Sequence, residues 1–234
     1  MAKVKVDGIG ILRAVTLLQR SGGMRRILLA LALFASAPAL ASAPGFSTND
    51  SIRRMYTYGW CVVQADPSQS RRILTVPPGS AEERALLKKI STDRCLSGQG
   101  QVFYIDYEPQ MLRGVIAEVV LDADGPKGTL ATPFTGLTAA TIASLDEKGR
   151  SALRALDFAG CIVAAAPDAV TEMLKTRPAS SKEARAIQQL GPHLSPCLPQ
   201  GAQMTIAKPQ LRGFLAEAAY RAAYAAVRAP GAAK

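Results

Sequence analysis

The chain has 234 residues, 48% of them hydrophobic and 20% charged, with a formal net charge of +10. That composition is too apolar for a disordered chain, and the length suits one large domain or two small ones. Residues 1–41 hold six of the 28 basic and one of the 18 acidic side chains, which leaves the remainder at only +5 with no run of five like charges. A nucleic-acid-binding stripe and a polybasic membrane patch are therefore not expected.

In chain order the first element is a leader. Met24-Arg25-Arg26 forms a short positive segment, and Ile27 to Leu40 form an apolar run broken only by Ser36 and Pro38. Ala39-Leu40-Ala41 follows with the small-x-small form that a signal peptidase needs, so a secretory signal cleaved after Ala41 is expected. Ala41-Ser42-Ala43 has the same form but would leave Pro44 beside the cut bond. The run is shorter than the roughly 20 apolar residues of a spanning helix, so integral membrane insertion is not expected. No cysteine stands near the cleavage site to carry a lipid. Val4 to Leu18 make a second, weaker apolar stretch that a signal does not need, and a translation start at Met24 accounts for it. Residues 1–41 are read as an upstream extension and signal peptide, set aside from the fold, and the mature protein as periplasmic or secreted.

Beyond the leader the chain repeats itself. At an offset of 100, Arg54 falls on Arg154, Tyr58 on Phe158, Cys61 on Cys161, Pro67 on Pro167, Leu74 on Leu174, Pro78 on Pro178, Ser80 on Ser180 and Glu83 on Glu183. With small indels Cys95 meets Cys197. Leu112, Arg113, Gly114, Ala117 and Glu118 meet Leu211, Arg212, Gly213, Ala216 and Glu217, so the phrase L-R-G-x-x-A-E is written twice. A tandem duplication is expected, with repeat 1 at 47–121, a linker at 122–145, repeat 2 at 146–228 and a flexible tail at 229–234. Two copies make a pseudo-symmetric pair and are too few for a solenoid.

Each copy reads as mainly α. Ser51 to Ala65 and Ser151 to Ala166 carry apolar residues at helical spacing, and Pro67 and Pro167 bend or end them. Ser80-Ala-Glu-Glu83 and Ser180-Ser-Lys-Glu183 are S-x-x-E capping boxes, in which serine accepts from the N3 amide and glutamate reaches back to the serine amide. Gln101 to Tyr107 and Ala202 to Ala207 alternate weakly and are read as short strands or extended links. Pro109 and Pro209 suit the first turn of a final helix. The linker is rich in Gly, Pro, Thr and Ala, with one short helix expected at Thr138 to Ser144.

Four cysteines in an exported chain allow three pairings. Duplication selects Cys61 with Cys95 and Cys161 with Cys197, since each copy then carries its own crosslink. Closing loops of this length stabilises by roughly 3.5 to 4 kcal/mol each on the chain-entropy account. A metal site of Cys161, His193 and Cys197 is disfavoured, because C-x-x-C is missing and the first copy has no matching histidine. No metal and no cofactor are expected. His193, flanked by Pro192 and Pro196, is read as an exposed loop residue. As the sole histidine it leaves a Ser-His-Asp triad without support. G-x-S-x-G and phosphate-binding loops are absent, and Leu121 to Gly125 lacks the first and last ligands of a calcium loop.

One asymmetry breaks the repetition. Tyr56, Tyr58, Trp60, Phe103, Tyr104 and Tyr107 concentrate aromatic side chains in the first copy. Tyr56, Tyr58, Trp60, Tyr104 and Tyr107 are therefore candidate ligand-binding residues, because aromatic clusters recognise rings, sugars or a partner's apolar anchor. A bulkier core in the first copy is the competing account.

The Cys-to-Cys spacing followed by L-R-G-x-x-A-E is similar to small uncharacterised exported proteins of Gram-negative bacteria. That resemblance covers both repeats and implies an envelope location, with no catalytic residues to carry over. The sequence thus points to a non-catalytic binding or structural module whose partner is another envelope protein or a small ligand. Two alternatives stand beside it. One is an enzyme using carboxylates such as Asp106 and Glu108 beside the aromatics; the other is a membrane-surface protein using the helix from Leu211 to Arg228, although Glu217 and the alanine-rich body favour docking onto its own domain. Purified from the envelope, the protein should begin at Ser42. An intact mass retaining Met24 to Ala41 would overturn the export expectation.

Overall fold

The computed structural model describes residues 48–90, 93–96, 109–125, 130–134 and 138–228, and the backbone of one strand at 3–7. The chain is mainly helical. Strand β1 (Lys3–Asp7) precedes α1 (Thr48–Ala65), α2 (Pro67–Ile73), α3 (Ala81–Ile90), α4 (Asp93–Leu96) and α5 (Pro109–Asp124). After these come α6 (Ala139–Ser144), α7 (Glu147–Ala165), α8 (Pro167–Leu174), α9 (Ser181–Gln189), α10 (Gly191–Leu194), a 3-10 turn at Ser195–Cys197, β2 (Gln203–Ala207) and α11 (Lys208–Arg228). The order of long helix, short helix, capped helix, cysteine turn and long helix occurs twice.

Local chemistry sets the helix boundaries. Helix α7 starts four residues before Ser151 because the Asp146 side chain caps it, accepting from the Gly149 amide at 2.8 Å. Pro67 and Pro167 each end one helix and open the next, standing where a missing N–H costs nothing. Asp66 also caps α2 through the Gln69 amide, whereas Ala166 offers α8 no side-chain cap. Ser80 and Ser180 accept from the amides of Glu83 and Glu183 at 3.0 and 3.1 Å, so both caps form.

The glutamates depart from the expected box. Glu83 accepts from the Gly79 amide and Glu183 from the Ala179 amide, one residue before each serine. The cause is the left-handed backbone at Gly79 (φ 75°) and Ala179 (φ 54°), which turns that amide toward the carboxylate. Each glutamate's other oxygen is left free for an arginine. Glycine suits Gly79 twice over, because a Cβ there would lie 2.9 Å from the Gly149 nitrogen.

Two apolar clusters form the core. Met55, Tyr58, Val62, Ile73, Leu87, Ile90, Leu112 and Ile116 gather in the first, and Tyr220 of α11 joins them. Phe158, Ile162, Met173, Ile187, Leu190, Ile206, Leu211 and Leu215 belong to the second. Each fully buried side chain of this size contributes roughly 1.5 to 3 kcal/mol. Cys61 is bonded to Cys95 and Cys161 to Cys197, with Cα atoms 5.7 and 5.6 Å apart, as oxidising surroundings produce. Both crosslinks tie the first long helix of a half to its short cysteine turn.

Several boundaries differ from expectation. Helix α5 runs through Asp124, into the segment read as linker, because Arg71 holds the Asp124 carboxylate with two hydrogen bonds of 2.6 and 3.0 Å. Residues 130–134 are strapped down as well: Phe134 donates to the Leu74 carbonyl, Tyr220 to that of Ala131, and Arg221 to that of Phe134. Helix α6 appears where expected, capped by Thr138. His193 lies half-buried in α10 instead of in an exposed loop, since Pro192 takes the first turn of that helix and Leu194 anchors it in the core.

Of the two extended segments, 203–207 is the strand β2, and 101–107 falls outside the described residues. The partner of β2 is β1, paired in parallel with Lys3 opposite Gln203 and Asp7 opposite Ala207. Residues 3–7 lie in the segment set aside as leader, so this pairing departs from that reading. An open strand edge offers unpaired N–H and C=O groups to any extended segment, and the alternating KVKVD supplies one. Along α11, Leu211, Leu215 and Ala218 are buried in the second cluster, so that face docks on the protein's own body. Among the described residues no helix is long and apolar enough to cross a membrane.

Ala179→Gly should stabilise by roughly 0.5 to 1 kcal/mol, because alanine at positive φ is strained by more than glycine's extra chain entropy. Gly79→Ala should lose about 1 to 3 kcal/mol by overpacking. Denaturant unfolding of the two variants checks the opposite signs.

Candidate functional site

Helices α5 and α11 cross at their glycines. A Cβ on Gly114 would run into the Gly213 backbone, well inside contact distance, and one on Gly213 would lie 3.3 Å from Gly114 Cα. Alanine costs less than glycine in a helix interior by up to about 1 kcal/mol, so backbone proximity is what these two positions require. Gly114 and Ala117 share a helix face, as do Gly213 and Ala216, and such small residues let another backbone come close; here the two copies of the phrase meet each other.

The crossing brings each arginine of L-R-G to the glutamate of the opposite phrase. Arg113 donates from Nε and Nη2 to Glu217 at 2.7 and 2.8 Å, and from Nη1 to Glu83 at 3.0 Å and to the Ile73 carbonyl at 2.7 Å. Arg212 mirrors it: Nε and Nη2 donate to Glu118 at 2.9 and 2.5 Å, and Nη1 to Glu183 at 3.1 Å. Its remaining donors reach the carbonyls of Met173, Leu174 and Thr176. Both arginines are 1% exposed. Each guanidinium therefore joins the capping glutamate of its own half to the crossing glutamate of the other.

Burial penalises all of these charges, and neighbours decide the outcome. Burial pulls the Arg113 and Arg212 values down, but the paired glutamates outweigh it and leave both raised. For Glu217, burial pushes up while Arg113 and Arg221 pull down more strongly, so its carboxyl stays below the usual range. Glu118 ends above it: burial dominates, Arg212 opposes, and Glu183 adds repulsion. Besides that repulsion, the two differ in Arg221, which donates to Glu217 at 2.8 Å. In the register of the two phrases, Asp122 stands where Arg221 stands.

Of the aromatic candidates, Tyr58 is core: at 3% exposure it cannot meet a ligand from solvent. Its place on the buried face of α1 explains this, since it belongs to the same core cluster as Met55, Val62 and Leu112. Tyr56 is half-buried, with the Arg212 guanidinium 5.4 Å from its ring centre. Its hydroxyl is buried beside Glu118 without good hydrogen-bond geometry. Burial first, and the Glu118 charge second, raise its pKa well above a normal tyrosine's. Tyr104 and Tyr107, with Phe103, Asp106 and Glu108, lie outside the described residues.

Trp60 is different, being 58% exposed. It heads a groove of about 730 Å³ whose walls come from α1, α5, α8 and α11, with Gln64, Glu118, Asp122, Leu174 and Lys175 among its lining. The companion groove on the second half, about 640 Å³, has Gly160, Ala164 and Arg221 at the positions of Trp60, Gln64 and Asp122. Glu118, 17% exposed, forms part of the floor of the Trp60 groove. Sequence reading missed Glu118 and Asp122 as groove residues, although their spacing of four on one helix was a usable signal. Among the described residues no cluster of three His, Cys, Asp or Glu side chains could hold a metal ion.

Compared with protein-family models, with curated proteins and with solved structures, the chain matches none of them.

Gly114→Ala should destabilise by about 1 to 3 kcal/mol and Gly213→Ala by less, because the Gly213 Cβ has more room. Both proving stabilising would refute the close crossing. Glu217→Gln should cost roughly 3 to 5 kcal/mol near neutral pH by leaving Arg113 inadequately paired. It should also flatten the acid limb of the stability curve. A carboxyl held low in the folded state stabilises above its unfolded value and loses that contribution as pH falls through its folded value. Unfolding from about pH 7 to about pH 3 measures both effects.

Proposed function

We propose that the protein is an exported, non-catalytic binding module of the cell envelope, made by duplication of a disulfide-stapled helical unit, in which Trp60 of the first copy heads a ligand groove walled by both copies. The observation that carries this reading is Trp60, a large aromatic left exposed at the head of a groove on a rigid helix, where the equivalent residue is Gly160. Tryptophan combines a large apolar face with a polar edge, and set at a groove beside polar side chains it suits recognition of a partner. Duplication is supported by the repeated element order, the paired serine caps and the reciprocal Arg–Glu exchange. Export is supported by the leader pattern and the two disulfides.

The test places a photo-crosslinking amino acid at Gln64 in one variant and at Ala164 in another, both exposed and equivalent. In the intact envelope, crosslinks should form from position 64, disappear on adding Trp60→Ala, and be absent from position 164. Equal crosslinking from both positions, or none from position 64, would overturn the binding-module reading.

A further inference from the structure

The two buried arginine clusters hold unequal charge. Around Arg113 stand two guanidiniums, its own and that of Arg221, against two carboxylates, Glu83 and Glu217. Around Arg212, among the described residues, stand its own guanidinium and two carboxylates, Glu118 and Glu183. The missing member is the counterpart of Arg221. Arg221 reaches Glu217 from four residues along α11, a favourable spacing on a helix, whereas the residue four beyond Glu118 is Asp122, of the same sign as Glu118. Lys175, which also lines the groove, is engaged with Glu172 at 2.8 Å.

The place left without its arginine opens into the groove that Trp60 heads. The companion position opposite Arg221 is Gly160. Among the described residues, one half thus supplies its crossing glutamate with a second guanidinium and lines its groove with a glycine; the other lines its groove with Trp60 and a second carboxylate, with no second guanidinium. Indole faces attract planar cations, most strongly where water is partly excluded, and carboxylates hold guanidinium through paired charge-assisted hydrogen bonds.

We propose that the Trp60 groove binds an arginine side chain of a partner polypeptide, its guanidinium stacked on Trp60 and held by Asp122 and Glu118, in the position that Arg221 occupies in the second half. This rests on the binding-module reading and names the chemistry of its ligand. A metal ion would use the carboxylates but not the indole face, and an apolar anchor would use the indole but leave the carboxylates unrelieved.

Trp60 is the only tryptophan in the chain, so its fluorescence reports the groove alone. Full-length protein is titrated with a blocked Gly-Arg-Gly peptide and with its citrulline analogue, the same shape without the charge. Saturable change with the arginine peptide and none with the citrulline peptide is expected. Asp122→Arg rebuilds the arrangement of the second half and should weaken arginine binding at least about tenfold, the scale of one lost charge-assisted contact, with circular dichroism unchanged. If that variant does not fold, Asp122→Asn takes its place, with a several-fold loss expected. No saturable change with arginine, equal binding of citrulline, or unaltered affinity in the Asp122 variant would overturn the inference. Crosslinks from position 64 without arginine binding overturn this inference alone; loss of both overturns the binding-module reading as well.

Discussion

The close approach of Gly114 and Gly213 is the constraint on which the other arrangements depend. Side chains at either position would hold α5 and α11 apart, and the arginines beside them could no longer reach the opposite glutamates. Charges buried as deeply as Arg113 and Arg212 are tolerated only when every donor finds an acceptor, and the crossing supplies those acceptors from both halves at once. Such networks contribute little net stability compared with apolar packing, yet they penalise wrong registers heavily. A slip of one helical turn would leave a buried charge unpaired, at a cost of about 3 to 5 kcal/mol.

The crossing also explains how the capping glutamates serve two purposes. Each closes the start of its helix with one oxygen and meets its arginine with the other. Left-handed backbone at Gly79 and Ala179 makes this double use possible by turning the preceding amide toward the carboxylate. Helix starts, helix crossing and the carbonyls that end α2 and α8 are thereby joined in one hydrogen-bonded unit. The disulfides act elsewhere, holding the cysteine turns to α1 and α7 at the outer edge of each half.

A frame with this near-symmetry makes its exceptions informative. Trp60 against Gly160, and Asp122 against Arg221, fall in equivalent grooves and change both shape and charge. Neither exception removes a crossing pair, because Arg113–Glu217 and Arg212–Glu118 form in both surroundings. The frame is therefore able to stay fixed while one groove carries an aromatic face and a carboxylate and the other a glycine and an arginine.

Helical class, the cysteine pairing, the serine caps and the glycine contact were legible in the sequence, because each follows from local chemistry or from comparing one half of the chain with the other. Small residues on a helix face, for example, identify where a backbone comes close without saying which backbone. Other features depended on distance in space. Nothing in the run of residues separates buried Tyr58 from exposed Trp60, two positions apart on one helix, until the helix is docked and one face is turned inward. The partners of Glu118 and Glu217 lie on the opposite helix, and Asp124 is held in α5 by an arginine from α2, far from it in the chain. By itself the sequence determined which segments are helical and which positions match, through propensity, capping and repetition. Only the tertiary structure decided which charges are paired and which aromatic faces water, because burial and pairing belong to surfaces that meet after the helices have packed.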